Sequence, residues 1–261
     1  MSQPTTMAFR PRTLDELIFN CVYLYNEYSL PEAFGPEDTI VDIGAHIGSF
    51  CYAALLRGAQ HVYAFEADPS NCACAVRNLQ SFGDRVRLEN KAVWRSDKTV
   101  ESLKICQSHQ VENTGGGNVL WSERGIAVAA IAFDEIIQRV TQKGRKRVRM
   151  LKIDCETSEF PILLTSRKLH LIDSIVGEFH ECGGPFDSNP IPDHARISGI
   201  ARFTIEELTR VLRRAGFDVS HSRLKDSNQN DTNMGPFFAH RATRQSFLPM
   251  LRRLLNPRRV G

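Results

Sequence analysis

At 261 residues, with 42% hydrophobic and 24% charged side chains, the chain is long enough for one well-buried core and short for two. No apolar run approaches the roughly 18 residues of a membrane span, and "MSQPTTMAFRPR" lacks the apolar stretch of a signal peptide, so a cytoplasmic protein is expected. The net charge of +3 is uneven: six arginines and no acid fall after residue 240, leaving a mildly acidic body unlike a nucleic-acid-binding surface. The seven cysteines form no CxxC pair and no zinc-type spacing with histidine, and read as reduced, buried thiols.

In chain order, "FRPRTLDELIFNCVYLYNEYSLP" predicts an N-terminal amphipathic helix. Tyr23 in it reads as packing, whereas Tyr25, Glu27 and Tyr28 near its end are placed to cover a site. Short β-rich runs then alternate with helical patterns. The strands are "TIVDI", "HVYAF", "RVRLENKAV", "RMLKID", "DSIVGEF" and, near the end, "FDVSHS" and "PFFAHR". The helices are "IGSFCYAALLRG", "PSNCACAVRNLQSFG", "SEFPILLTSRKL" and "FTIEELTRVLRRAGF", the first beginning near Ile47. This alternation predicts βαβ units and a mostly parallel sheet with helices on both faces. Residues 94–133 break the rhythm, with "TVESLKIC" and "GIAVAAIAF" around the flexible "NTGGGN" predicting an inserted hairpin or loop. The expected organisation is a helical extension over 1–36, one domain over 37–242 and a basic tail over 243–261.

The turn "DIGAHIGSF" after the first apolar strand carries Gly44 and Gly48 where ligands of open α/β sheets approach the backbone. A dinucleotide fingerprint would need glycine at positions 46 and 49 too; His46 and Ser49 stand there, and an imidazole where a pyrophosphate should pass argues against NAD or FAD. Glu66 ends the next strand, 22 residues after Gly44, at the place for a carboxylate that binds ribose hydroxyls. Asp42 adds a second negative charge. Together they suit a nucleoside with a cationic far end, as in S-adenosylmethionine; a tight turn beside a solvated Glu66 is the plain alternative.

The ordered motifs "DTIVDIGAHIGSF", "GAQHVYAFEADPSN", "RVRLENKAVWRSD", the apolar step into "FDEII", "LKIDCETSEF" and "SIVGEFHE" resemble those of FkbM-type S-adenosylmethionine-dependent methyltransferases, over about residues 12–240. The resemblance implies a Rossmann-like class I methyltransferase fold, with a seven-stranded sheet whose last strand is antiparallel. It also implies a cofactor site at Asp42, Gly44, Ala45, His46, Gly48, Glu66 and Ala67, with Asn90, Lys91 and Ala92 along the adenine and Asp154 at the amino end. The family's usual "LKIDxEG" reads "LKIDCET" here, so Thr157 places a side chain beside the active-site carboxylates.

The chemistry is expected where the fourth and fifth strands of the main sheet end. Lys152 and Asp154 alternate onto one side of their strand, Glu156 lies just beyond it, and "GEFHE" brings Glu178, His180 and Glu181 alongside. Methyl transfer from a sulfonium needs an aligned acceptor and a group to take the hydroxyl proton. His180 leads as that base, since its ordinary pKa is about 6.5; Glu156 and Asp154 are rivals. Tyr28 and Glu178 are the candidate acceptor contacts. Asp154, Glu156, Glu178 and His180 are also of the types that hold a divalent cation, although no metal motif demands one. The expected activity is O-methylation of a sugar, glycolipid or secondary metabolite, with S-adenosylhomocysteine as product; the alternative is a catalytically degenerate nucleoside-binding protein. The loop "SHQVENTGGGN" is read as closing over the acceptor or as a surface connection. Leu248, Leu251, Leu254 and Leu255 in the tail recur at helical spacing, which suits docking on protein, including a second copy, ahead of weak contact with an anionic membrane.

Overall fold

A computed structural model of the protein describes residues 7–107, 112–120 and 125–241. The tail whose leucine spacing predicts a helix lies outside the described residues. In chain order the elements are α1 (Asp15–Tyr23), β1 (Thr39–Ile43), α2 (Ser49–Leu56), β2 (His61–Glu66), α3 (Pro69–Leu79), β3 (Val86–Asn90), β4 (Ala92–Trp94) and β5 (Ser102–Ile105). There follow β6 (Ile126–Ala132), α4 (Phe133–Val140), β7 (Val148–Ile153), α5 (Glu159–Thr165), β8 (Ser174–His180), α6 (Ile205–Arg214), β9 (Phe217–His221) and β10 (Met234–Arg241). The main sheet has seven strands in the order β3-β2-β1-β7-β8-β10-β9. β1 runs parallel to β2 and β7, whereas β10 is antiparallel to both its neighbours. This is the Rossmann-like, mostly parallel sheet that the sequence predicts.

Every residue of β1 is buried, as a central parallel strand covered on both faces requires. Its side chains alternate. Ile40 joins Val22, Phe50 and Leu79 from α1, α2 and α3 in one core, while Val41 and Ile43 join Phe160 and Leu208 from α5 and α6 in the other. The N-terminal helix is tied into the first core by Phe19, which stacks on Tyr23 at 5.1 Å and meets Tyr52 edge-on at 5.9 Å.

Four local expectations change. The run "RVRLENKAV" is two strands: Asn90 donates its side-chain amide to the carbonyls of Glu66 and Ala67, and the chain turns at Lys91 into β4. β4 pairs in parallel with β6, so the inserted hairpin of β5 and β6 becomes a three-stranded sheet. Residues 133–140 form a helix, because Phe133, Ile136, Ile137 and Val140 recur on one face and are all buried. Finally, α2 begins at Ser49 rather than near Ile47, since Gly48 at its N-cap is left-handed, with φ of +90°.

The turn after β1 has a demanding backbone. Gly44, at φ +77°, lies so close to the end of β7 that an added Cβ would sit 1.8 Å from the carbonyl oxygen of Asp154. The neighbour that excludes a side chain there is protein backbone. Gly48 likewise faces Leu79 of α3, 2.9 Å from where its Cβ would be. Gly44→Ala is therefore expected to destabilise the protein by about 3 kcal/mol or more in denaturant unfolding. Gly199→Ala provides the control, because that glycine sits in a turn closed by the Ile200 N–H on the Ile197 carbonyl, with φ +79° and nothing within 4 Å of an added Cβ; its cost should be that of backbone strain alone, about 1 kcal/mol.

Candidate active site

Strand order reverses between β1 and β7, and a cavity opens there, beyond the carboxyl ends of β1, β2, β7 and β8. It has a volume of about 330 Å³. Gly44, Ala45 and His46 form its floor, and Glu66, Ala67, Lys91 and Ala92 flank one end. Lys152, Asp154, Glu156, Tyr28 and Glu178 gather at the other. Three cofactor candidates do not line it. Asp42 is wholly buried beneath the strand ends, Gly48 packs on Leu79, and the exposed Asn90 braces the turn after β2.

At the first end, Glu66 is almost fully buried and receives the backbone N–H of His46 at 2.7 Å on one oxygen and that of Asp68 at 2.8 Å on the other. A carboxylate oxygen accepts more than one hydrogen bond, so both keep capacity toward the cavity. Burial raises the Glu66 pKa to about 7, although both N–H donors oppose the shift. His46 itself is left-handed, with φ of +53°, and its Nε2 lies 2.8 Å from the hydroxyl of Thr114. That hydroxyl donates to the wholly buried Asp15, which is also held by Arg10, and the Thr114 carbonyl accepts from the side chain of Asn71. The described part of the glycine-rich loop is thus anchored at the His46 end of the cavity through Thr114. Sequence reasoning missed this cluster because residues 15, 46, 71 and 114 share no local pattern. It also missed the apolar wall that α1 supplies through Leu17, Ile18, Cys21 and Val22, although their spacing marks one helix face.

At the second end, the Tyr28 hydroxyl donates to Asp154 at 2.8 Å. The Lys152 ammonium donates to the Gly44 carbonyl at 2.6 Å and lies 3.4 Å from Asp42. Burial opposes its charge, yet Asp42 and Asp154 hold its pKa above the ordinary lysine value. Lys152 is therefore a charged clasp between two strands. Burial raises Glu156 and Glu178 to about 7, with Asp154 adding to both.

His180 sits behind these acids and does not line the cavity; its Nδ1 is 3.3 Å from Glu159, and its Nε2 is 3.7 Å from both Glu156 and Glu178. Burial works against a charged ring, but Glu156 and Glu159 carry its pKa well above the usual histidine value. An imidazolium has no lone pair to offer, so the reading of His180 as the proton acceptor does not suit this arrangement. The loop after β7 is strained, with Glu156 at φ +54° and Thr157 at +77°. Thr157 is buried and does not line the cavity. The left-handed backbone is the physical reason glycine suits that position. Asp154, Glu178 and His180 bring three atoms of metal-ligand type within 4.8 Å of one another.

The model of the methyltransferase FkbM domain family matches residues 42–219. No curated protein sequence matches the chain significantly. Among solved structures, a Listeria monocytogenes protein provisionally described as an S-adenosylmethionine-dependent methyltransferase is similar at 12% identity, with 84% of this chain and 98% of that one covered and a TM-score of 0.46. A Pyrococcus horikoshii protein provisionally described as an RNA methyltransferase is similar at 13% identity, covering 88% and 86%, with a TM-score of 0.43. Precorrin-6y C5,15-methyltransferase from Geobacter metallireducens is similar at 13% identity, covering 90% and 93%, also with a TM-score of 0.43.

Two measurements check the electrostatics and strain of this site. Below about pH 4.5, the ordinary glutamate pKa, Glu66 is neutral in folded and unfolded chains alike. Between there and about 7 only the unfolded chain releases the proton, so stability falls as pH rises and the loss is complete above about 7. Glu66→Gln should flatten that part of the stability curve by about 1 to 3 kcal/mol. Thr157→Gly should stabilise the protein by about 1 kcal/mol, since relief of left-handed strain in a β-branched residue outweighs the added freedom of the unfolded chain. Denaturant titrations across pH read the first effect, and a single titration near neutral pH reads the second.

Proposed function

The chain belongs to the FkbM methyltransferase family, and from that premise we propose that it uses S-adenosylmethionine to methylate a hydroxyl of a sugar, glycolipid or secondary metabolite. The observation that carries the cofactor is the polarity of one cavity, with the buried Glu66 at one end and the acids Asp154, Glu156 and Glu178 at the other. A ribose suits the first end and a cationic methionine portion the second. The floor fits as well, because the left-handed turn presents backbone at Gly44 and Ala45 while His46 closes the space a pyrophosphate would need.

The cofactor supplies a methyl group on a sulfonium, open to in-line attack. Glu66 is the proposed acceptor for the ribose hydroxyls, Ala92 and Lys91 flank the base, and Asp154 faces the amino end with its orientation held by Tyr28. Tyr28 and Glu178 are placed to orient the acceptor. Glu156 is the proposed base: it lines the cavity, remains partly open, and is held in a left-handed conformation by the loop after β7. His180, charged, holds Glu156 and Glu178 in place. The acceptor is read as a small molecule or glycan, and the protein as cytoplasmic; no helix among the described residues is long and apolar enough to cross a membrane.

Calorimetry with S-adenosylhomocysteine tests the cofactor. Glu66→Ala should weaken binding by about 1.5 to 3 kcal/mol, the effect of losing a charged hydrogen-bond acceptor, and NAD should give no binding heat; unchanged affinity in the variant would remove Glu66 from the ribose. Comparative mass spectrometry of host glycans and metabolites, with and without the protein, should show a shift of one methylene in the product. With that acceptor, Glu156→Gln should lower turnover by about 10² to 10⁴ at nearly constant cofactor affinity. Cofactor binding without transfer to any host molecule would favour the degenerate binding protein instead.

A further inference from the structure

Exposed apolar side chains gather at one place among the described residues. Of nine large hydrophobic side chains that stand open, four, Leu14, Leu17, Leu24 and Tyr25, fall on α1 or at its ends. Leu14, Leu17, Cys21 and Leu24 are three or four positions apart, which sets them along one side of the helix. Phe19 and Tyr23, on the other side, hold the helix against Tyr52, so its packing does not need these leucines.

The stripe runs into the cavity. Leu17 is 57% exposed and also lines the cavity, beside Ile18 and Cys21. After α1 the chain turns back, the Tyr25 N–H donating to the Asn20 carbonyl at 3.1 Å and the Glu27 N–H to the Cys21 carbonyl at 3.2 Å. That turn leaves Leu24 and Tyr25 outside and brings Glu27 and Tyr28 to the cavity wall, where the Tyr28 hydroxyl meets Asp154. An apolar rim thus stands directly outside the acidic end of the cavity.

We propose that the acceptor is an amphiphile: its hydroxyl-bearing head enters the acidic end of the cavity, and its hydrocarbon chain emerges beside Leu24 and Tyr25 and lies along α1 over Leu17 and Leu14. This rests on the methyltransferase reading and narrows its acceptor to a lipid-linked one. The stripe offers about 15 Å of helix to the chain. A hydrocarbon chain needs no matching surface of its own, since it gains from any apolar area removed from water. A second copy of the protein would need about 20 to 30 residues on each side for a stable interface, and four open side chains fall far short of that. The C-terminal tail departs after Arg241, whose N–H donates to the Asp173 carbonyl just before β8 begins, at the end of the sheet away from the cavity.

The experiment uses the full-length protein without any nucleoside, and n-decyl β-D-glucoside below its micelle concentration, with methyl β-D-glucoside and decanoate for comparison. In calorimetry the decyl glucoside should bind at least tenfold more tightly than the methyl glucoside, because several methylenes leave water. It should also exceed decanoate at least tenfold, because the acidic end of the cavity repels a carboxylate head. Leu17→Gln and Leu24→Gln should each weaken the decyl glucoside about three- to tenfold. Val76→Gln, which alters a similarly exposed side chain on α3, should leave it unchanged. A decyl glucoside with a photoreactive diazirine at its chain end should label residues 14–25, read by mass spectrometry on the unaltered protein. Equal binding of the decyl and methyl glucosides, equal binding of decanoate, labelling only outside residues 14–25, the tail included, or unchanged affinity in both leucine variants would each overturn the proposal. So would a dimer in ultracentrifugation that Leu17→Gln returns to monomer, which would assign the stripe to a second copy. Failure of S-adenosylhomocysteine to bind in calorimetry would count against the cofactor reading alone.

Discussion

The close approach of Gly44 to the end of β7 governs the rest of the site. The N–H of Asp154 donates to the carbonyl of Ile43 at 3.1 Å, and the Asp154 carbonyl occupies the space a side chain at Gly44 would need. That contact joins the turn carrying Ala45 and His46 to the loop carrying Asp154 and Glu156. Lys152 fastens the same junction from below, with its ammonium between Asp42 and the Gly44 carbonyl. A parallel sheet alone would bring β1 and β7 side by side; the glycine lets their ends close on each other. The Glu66 end and the Asp154 end of the cavity are therefore held in one frame.

Charge is the second constraint. Asp154, Glu156 and Glu178 face one end of the cavity, with Glu159 buried behind them, and the nearby side-chain cations are Lys152 and His180. Burial disfavours ionised carboxylates, and mutual repulsion adds to this, which is why Glu156 and Glu178 titrate near 7. A hydrophobic cavity of this size would accept many ligands. This one discriminates by sign, favouring a ligand with positive charge at the acidic end. The same acids explain why His180 cannot be judged from histidine's ordinary pKa, because its neighbours determine its state.

The mostly parallel sheet and the glycine turn after β1 were legible because their signals are local. Alternating apolar strands, a glycine turn and Glu66 at a fixed distance after it are all visible within about 30 residues, the length of one βαβ unit. Three-dimensional effects hid the remainder. Asp42 ends a strand just as Asp154 nearly does, yet one points under the sheet to Cys51 and Lys152 while the other faces the cavity. Glu159 carries no signal in the sequence beyond its place at the start of a helix, whereas it reaches His180 across 21 residues of chain. The split at Lys91 depends on Asn90 binding carbonyls in a different turn. α4 was visible in its apolar spacing, but its position straight after β6 masked it within the inserted segment.

The polar cluster of Arg10, Asp15, His46 and Thr114 shows how the additions to the sheet contribute to the cavity. A wholly buried carboxylate costs stability unless several donors satisfy it. Asp15 has them from the N-terminal segment and the glycine-rich loop together; burial opposes its ionisation, but hydrogen bonds from His46, Arg10 and Thr114 hold it well below the usual carboxylate range. Each partner comes from a different stretch of chain, so withdrawing any one leaves Asp15 poorly compensated. The three segments are therefore stable in mutual contact, and that contact lies over the turn after β1. The N-terminal helix is thus a wall of the cavity, with its apolar residues Leu17, Ile18, Cys21 and Val22 along it and its first turn anchoring the loop above.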